Sequence, residues 1–321
     1  MEIMLHIFTN NILPIFLLVG LGFILAKKFS MDIGTLTKIN FYVLVPSFTF
    51  VYLYSTPIPL DMLKVLVAAL ILMILNYTSA SVISHFRHFD KKMKNAFINS
   101  IIFYNSGNIG IPLITLIFSN KPYIVDGETP YLNLALTSQI MVLVVQNILT
   151  NTLGFYNAGS ASMKWQESVR KILHMPAIYV ISMALILKLF PFDMTKLPVW
   201  PALVHLRNAL VPTALLILGI QIARTKFYSI KPEVILSVLF RLIGGPLFAL
   251  FIIYALSLKG VIAQAFLVSA SVPTAVNTAL IAVEYDNCPE FASQVVLIST
   301  IACTITLSLI IYMSRILFPV V

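Results

Sequence analysis

The chain has 321 residues, of which 59% are hydrophobic and only 10% are charged, and its formal net charge is +9. A soluble protein carries about 25% charged residues, so this composition excludes a soluble enzyme and predicts a polytopic membrane protein. The cations fall in short loops between apolar stretches and not in one patch, which argues against a nucleic-acid partner. No connecting segment is long enough to fold alone, so we predict one transmembrane domain over residues 1–321.

Ten apolar stretches can each form a membrane-spanning helix, which needs roughly 20 apolar residues. In chain order they are residues 11–28, 38–55, 61–85, 94–118, 132–155, 172–190, 199–222, 232–258, 261–284 and 291–318. The stretch at 38–55 is the weakest, because it is short and polar at its start. Lys and Arg are concentrated in the loops after the first, third, fifth and seventh stretches. The positive-inside rule therefore predicts a multi-pass protein of the cell (plasma) membrane with both termini outside.

Weak internal similarity suggests that the chain consists of two halves. The matching segments are Leu44–Ser47 with Leu210–Thr213, and Asn95–Phe97 with Gln264–Phe266. Two halves of five helices, residues 1–155 and 172–321, would have opposite orientations in the membrane because five is odd. We therefore predict an all-α fold of two inverted five-helix repeats, an arrangement found in many secondary transporters.

Two apolar stretches, the fourth and the ninth, are interrupted by polar and helix-breaking residues at corresponding places in the two halves. Such a pair is the best sequence indication of a transporter's binding site. The predicted substrate-binding residues of the fourth stretch are Asn105, Ser106, Gly107, Asn108, Gly110 and Pro112. Those of the ninth stretch are Ser271, Pro273, Thr274 and Asn277.

The chemistry of these interruptions favours an anion. A helix broken within the membrane exposes a new N-terminus, which has unpaired N–H groups and roughly half a positive charge. If two such ends converge, they can hold a carboxylate, with amides such as Asn108 and Asn277 around it. Arg241 lies inside the eighth stretch, where it either extends towards the membrane surface or adds a second contact to the anion.

Four amide residues of the fifth stretch share roughly one helix face: Gln139, Gln146, Asn147 and Asn151. They can line a cavity or donate hydrogen bonds to neighbouring helices. We favour the second interpretation.

The motif Asn105–Pro112, together with Val272–Thr278 leading to Ala282–Tyr285, resembles the auxin efflux carrier family in its short prokaryotic-type form. Relatives often have a second proline where this chain has Thr274. The resemblance implies a fold similar to the bile-acid/sodium symporters, with broken helices 4 and 9 crossing near Pro112 and Pro273. It also implies transport of organic acids such as malate, malonate or auxin.

We therefore predict a secondary transporter or facilitator that moves small organic anions by alternating access, and not an enzyme. The alternative is a membrane sensor or channel on a transporter-like scaffold. The sequence has no phosphate-binding loop and no metalloprotease motif, and we predict neither a cofactor nor a metal. The expected partners are a small organic anion and the lipid bilayer, and a homodimer is left open.

Overall fold

The structure is a computed structural model that describes residues 2–56, 61–159, 176–190, 193–225 and 230–320. Within these residues the regular structure is helical, apart from two isolated β-bridges. The first six helices are α1 Leu5–Lys28, α2 Ile33–Ser55, α3 Asp61–Phe86, α4 Lys91–Ile102, α5 Ser106–Phe118 and α6 Leu132–Ala158. The others are α7 Pro176–Leu187, α8 Val199–Arg224, α9 Pro232–Ala255, α10 Gly260–Ala270, α11 Val276–Glu284 and α12 Pro289–Leu317.

Seven helices of the described residues are long and apolar enough to cross a membrane: α1, α2, α3, α6, α8, α9 and α12. The pairs α4–α5 and α10–α11 correspond to the two interrupted stretches, which raises the number of candidate membrane helices to nine. The predicted sixth stretch, 172–190, is described only from Pro176 onward. The chain is therefore an all-α polytopic membrane protein, as its composition predicts.

Four prolines lie in these helices directly after a π-helical turn. The turns are Phe8–Ile12, Asn40–Leu44, Ser106–Gly110 and Phe240–Gly244, and they precede Pro14, Pro46, Pro112 and Pro246. A proline inside a helix lacks an N–H and its ring collides with the carbonyl one turn earlier. A wider turn at that place lets the helix continue past the proline. The sequence analysis did not predict this local geometry.

The helices form two groups. The first group contains α1, α2, α7 and α8, in which α8 packs against α1 and α2, and α7 packs against α2. The second group contains α3 to α6 and α9 to α12, in which α6 packs against α3, α5 and α10, and α12 packs against α9, α10 and α11. Contacts between the groups are fewer, and they include α8 with α5 and α2 with α6.

Within the first group, α1 and α8 touch through their backbones. A Cβ atom added at Gly22 would collide with the backbone of Leu216, and one at Gly219 would collide with the carbonyl of Val19 and lie 2.8 Å from Phe23 N. Both positions therefore require glycine, because a side chain at either one would collide with the backbone of the facing helix. Close approach through small residues is a common way for membrane helices to associate, because lipid provides no hydrophobic drive between them.

Gly22→Leu and Gly219→Leu are each expected to destabilise the protein by about 1–3 kcal/mol, the range for overpacking a close-packed contact. The measurement is thermal unfolding of the purified protein in detergent. Gly20→Leu is the matched control, because a Cβ atom there meets nothing within 4 Å. Unfolding temperatures for Gly22→Leu and Gly219→Leu equal to that of Gly20→Leu would contradict the close backbone contact.

Candidate functional site

The two interrupted stretches meet where their helices break. After α4 and α10 end, the chain is extended, and Tyr104 and Thr274 form an antiparallel β-bridge. The Asn105 N–H donates to the Pro273 carbonyl at 2.8 Å, and the Ala275 N–H donates to the Phe103 carbonyl at 3.0 Å. Each break thus supplies hydrogen-bond partners for the backbone of the other. This pairing is needed because unpaired backbone N–H and C=O groups cost free energy in a membrane.

The structure corrects the predicted position of the first break. Pro273 lies at the meeting point, but Pro112 does not: it sits about two helical turns later, in the first turn of the regular helix Ile111–Phe118. Proline is tolerated there because the wider π-helical turn Ser106–Gly110 just before it accommodates the missing N–H and the ring. The expectation that the helices cross near Pro112 is therefore wrong, and Tyr104 and Asn105 occupy that place.

Helix α6 pairs further backbone groups of the first break. Gln139 Nε2 donates to the Ser106 carbonyl at 2.7 Å. Gln146 Oε1 accepts from the Tyr104 N–H at 3.2 Å, and its Nε2 donates to the Ile102 carbonyl at 3.3 Å. The interpretation that these amides bond to a neighbouring helix is confirmed for Gln139 and Gln146. The side chain of Asn151 lies outside the described residues.

Several predicted site residues hold the breaks in place. Thr274 donates through Oγ1 to the Ser100 carbonyl at 2.7 Å, and Ser271 donates through Oγ to the Leu267 carbonyl at 2.6 Å. A Cβ atom at Gly110 would collide with the Gln139 amide. Together with Pro112 and Pro273, these residues are not among those that line the cleft described next.

A narrow cleft, part of it open to solvent, lies beside the breaks. Five predicted site residues line it: Asn105, Ser106, Gly107, Asn108 and Asn277. Residues that the site prediction did not include also line it: Thr37, Asn40, Phe41 and Val45 from α2, Leu143, Gln146, Asn147 and Thr150 from α6, and Ile217 and Gln221 from α8. The polar start of the weak second stretch, with Asn40, was a sequence signal for part of this set.

Amide side chains dominate the polar surface of the cleft. The amides are Asn40, Asn105, Asn108, Gln146, Asn147, Gln221 and Asn277, and none of the described lining residues carries a formal charge. Asn105 Nδ2 is buried and has no hydrogen-bond partner among the described residues. Such a surface can donate and accept hydrogen bonds without supplying a fixed counter-charge.

Two helices begin at the cleft. Helix α5 begins at Ser106, and the Asn105 side chain accepts from the Asn108 N–H at 3.2 Å. Helix α11 begins at Val276, and its N-cap residue, Ala275, makes no side-chain cap hydrogen bond. Because the first N–H groups of a helix have no intrahelical partner, both starts contribute donors and positive potential.

Comparison with known proteins agrees with this arrangement. A family profile described as membrane transport protein matches residues 163–311. A protein of Methanothermobacter thermautotrophicus described as an uncharacterized transporter is 24% identical over 310 residues, which cover 94% of this chain and 96% of the relative. Both matches are thus to membrane transport proteins. The resemblance to the auxin efflux carriers is thereby confirmed.

The cleft lies between the two helix groups. One wall comes from α2 and α8, and the other comes from α5, α6 and α11. The lining residues of α2 lie near its start, beside Lys38, and those of α8 lie near its end, before Arg224. The cleft therefore extends towards the helix ends that carry these cations.

Gln146→Leu is expected to destabilise the protein by about 1–3 kcal/mol, because it leaves the Tyr104 N–H and the Ile102 carbonyl without this partner. The measurement is the thermal unfolding temperature in detergent. Gln221→Leu is the control, since Gln221 also lines the cleft but its Oε1 has no partner among the described residues. Equal stability of the two variants would show that Gln146 does not hold the break.

Proposed function

We propose that this protein is a secondary transporter or facilitator for small organic anions, carboxylates such as malate, malonate or auxin-like acids. The observation that supports this proposal is an amide-lined cleft at which two half-helices begin, with a buried Asn105 Nδ2 that has no partner among the described residues. Helix N-termini bind anions through free N–H groups and the helix dipole. A carboxylate also accepts the hydrogen bonds that amide side chains donate.

The position of the cleft supports alternating access. A site between two separately packed helix groups can open to one side or the other when one group moves against its partner. If the positive-inside rule holds, the side with Lys38 and Arg224 is cytoplasmic. The conformation described here would then be open to the cytoplasm, with both termini outside.

Sequence spacing supports two inverted repeats of five helices. Asn108 and Asn277 are separated by the same number of residues as Asn95 and Gln264, the similar segments of the two halves. With that spacing, Tyr104 corresponds to Pro273. These residues lie in the two extended segments that pair with each other at the helix breaks.

Asn108→Ala and Asn277→Ala are each expected to weaken carboxylate binding by roughly 1–3 kcal/mol, about 5- to 150-fold in Kd, because each removes a potential hydrogen bond to a charged ligand. The measurement is isothermal titration of the purified protein with malate or malonate. Asn120→Ala is the control, since Asn120 bonds to the Leu116 carbonyl away from the cleft.

The ligand's charge provides a second readout on the same protein. Malonate should bind much more tightly than its uncharged diamide, because the positive potential of two helix starts favours a charge. Equal affinity for acid and diamide would contradict an anion site. Saturable uptake with counterflow in proteoliposomes would favour a carrier, whereas binding without flux would favour a sensor.

The proposed orientation can be tested with single cysteines introduced after Cys288 and Cys303 are replaced. Lys91, the first residue of α4, and Glu128, in the loop between α5 and α6, are both exposed. Impermeant maleimide should label Glu128→Cys from outside in intact cells, and Lys91→Cys only after permeabilisation. Labelling of both from the same side would contradict the predicted topology.

A further inference from the structure

Arg241 is a fully buried cation inside α9, with 0% of its surface exposed. Its Nη1 donates to the Ile101 carbonyl at 2.9 Å, and its Nη2 donates to the Ala270 carbonyl. The guanidinium also lies over the Tyr104 ring, 4.6 Å from the ring centre. Its burial shows that it does not extend to the surface, and it does not line the cleft, so neither of the two roles that the sequence suggested for Arg241 matches its position.

The two carbonyls that Arg241 binds belong to the ends of two helices. Ile101 is in the last turn of α4, and Ala270 is the last residue of α10. The end of a helix carries unpaired carbonyl oxygens and roughly half a negative charge. Two such ends together present about one unit of negative potential, which a single guanidinium balances.

The surroundings leave room for the guanidinium. A Cβ atom at Gly245, one turn further along α9, would collide with Arg241 Nη2 and lie 3.1 Å from the Ala270 carbonyl oxygen. Among the described residues no carboxylate forms a salt bridge with Arg241. The helix ends are therefore the acceptors that balance its charge.

In transporters with discontinuous helices, half-helix C-termini and unwound carbonyls coordinate the coupling Na⁺. We propose that the Arg241 guanidinium, a cation covalently attached to α9, takes the place of such a Na⁺ at the ends of α4 and α10. The region where the two broken helices meet then needs no Na⁺ or other free cation. Arg241 acts as a positioning residue, because it holds the two helix ends and does not touch the ligand. The part of the proposal that concerns transport rests on the proposed function, but the part that concerns stability does not.

The first experiment measures thermal unfolding of the purified full-length protein in choline, Na⁺ and K⁺ chloride at equal ionic strength. The wild-type unfolding temperature should not depend on the cation. Arg241→Ala should unfold at least several degrees lower in choline, and millimolar guanidinium or Na⁺ should recover part of the loss, because a ligand of the folded state raises its stability. Na⁺-dependent stabilisation of the wild type would overturn the proposal, as would an Arg241→Ala variant that no cation stabilises.

Arg207→Ala is the matched control. The Arg207 guanidinium also lies over an aromatic ring, 5.2 Å from the centre of Tyr52, but its described hydrogen bond is to the neighbouring Asn208 side chain. Loss of Arg207 should produce neither cation sensitivity nor rescue by guanidinium. Equal rescue of both variants would overturn the proposal, since it would show a general effect of the salt.

Arg241→Lys covers the case in which the alanine variant does not fold. Lysine keeps the charge without the fork that reaches two carbonyls, so this variant should fold and remain independent of Na⁺. Failure of Arg241→Lys to fold, or a requirement for Na⁺, would overturn the proposal. Wild-type malonate uptake should be equal in Na⁺ and choline. If malonate is not transported at all, the proposed function fails, while the unfolding measurements still test the cation site.

Discussion

The polar backbone at two helix breaks is the constraint on which the rest of this structure depends. Water cannot pair these groups inside a membrane, so protein must. The two breaks pair with each other through Asn105 with Pro273 and Phe103 with Ala275. This reciprocal pairing joins segments far apart in sequence, and it fixes which helices must be neighbours.

Two long helices pair further backbone groups where the two breaks meet. Gln146 of α6 bonds to the backbone on both sides of Phe103, and Arg241 of α9 bonds to the ends of α4 and α10. Burial of a polar residue in an apolar helix costs free energy, but these two residues offset that cost because they bind backbone groups of other helices that would be unpaired without them. The second helix group is therefore held together partly by buried hydrogen bonds. The first group packs through close backbone contact at Gly22 and Gly219.

Sequence reasoning located both interrupted stretches, because amides, glycines and prolines within apolar helices are unusual. It misplaced the first break, because a proline motif does not distinguish a helix interior from a first turn. Pro112 proved to start a helix after a π-helical turn. The role of Arg241 was also out of reach, since depth along a helix does not determine what the side chain faces. The α2 and α8 walls of the cleft depend on tertiary packing, and in the sequence only the polar start of α2, with Asn40, was a signal for part of them.

The arrangement separates the two kinds of helix end. The carbonyl ends of α4 and α10 are balanced by Arg241, which lies behind the cleft residue Tyr104, while α5 and α11 begin beside neutral amides. A fixed cation inside the cleft would bind a carboxylate strongly and also slow its release. Helix starts supply only partial charges, so they can attract an anion and still let it leave. An uncharged cleft next to a neutralised crossing is therefore suited to reversible binding, which a carrier requires and a high-affinity receptor does not.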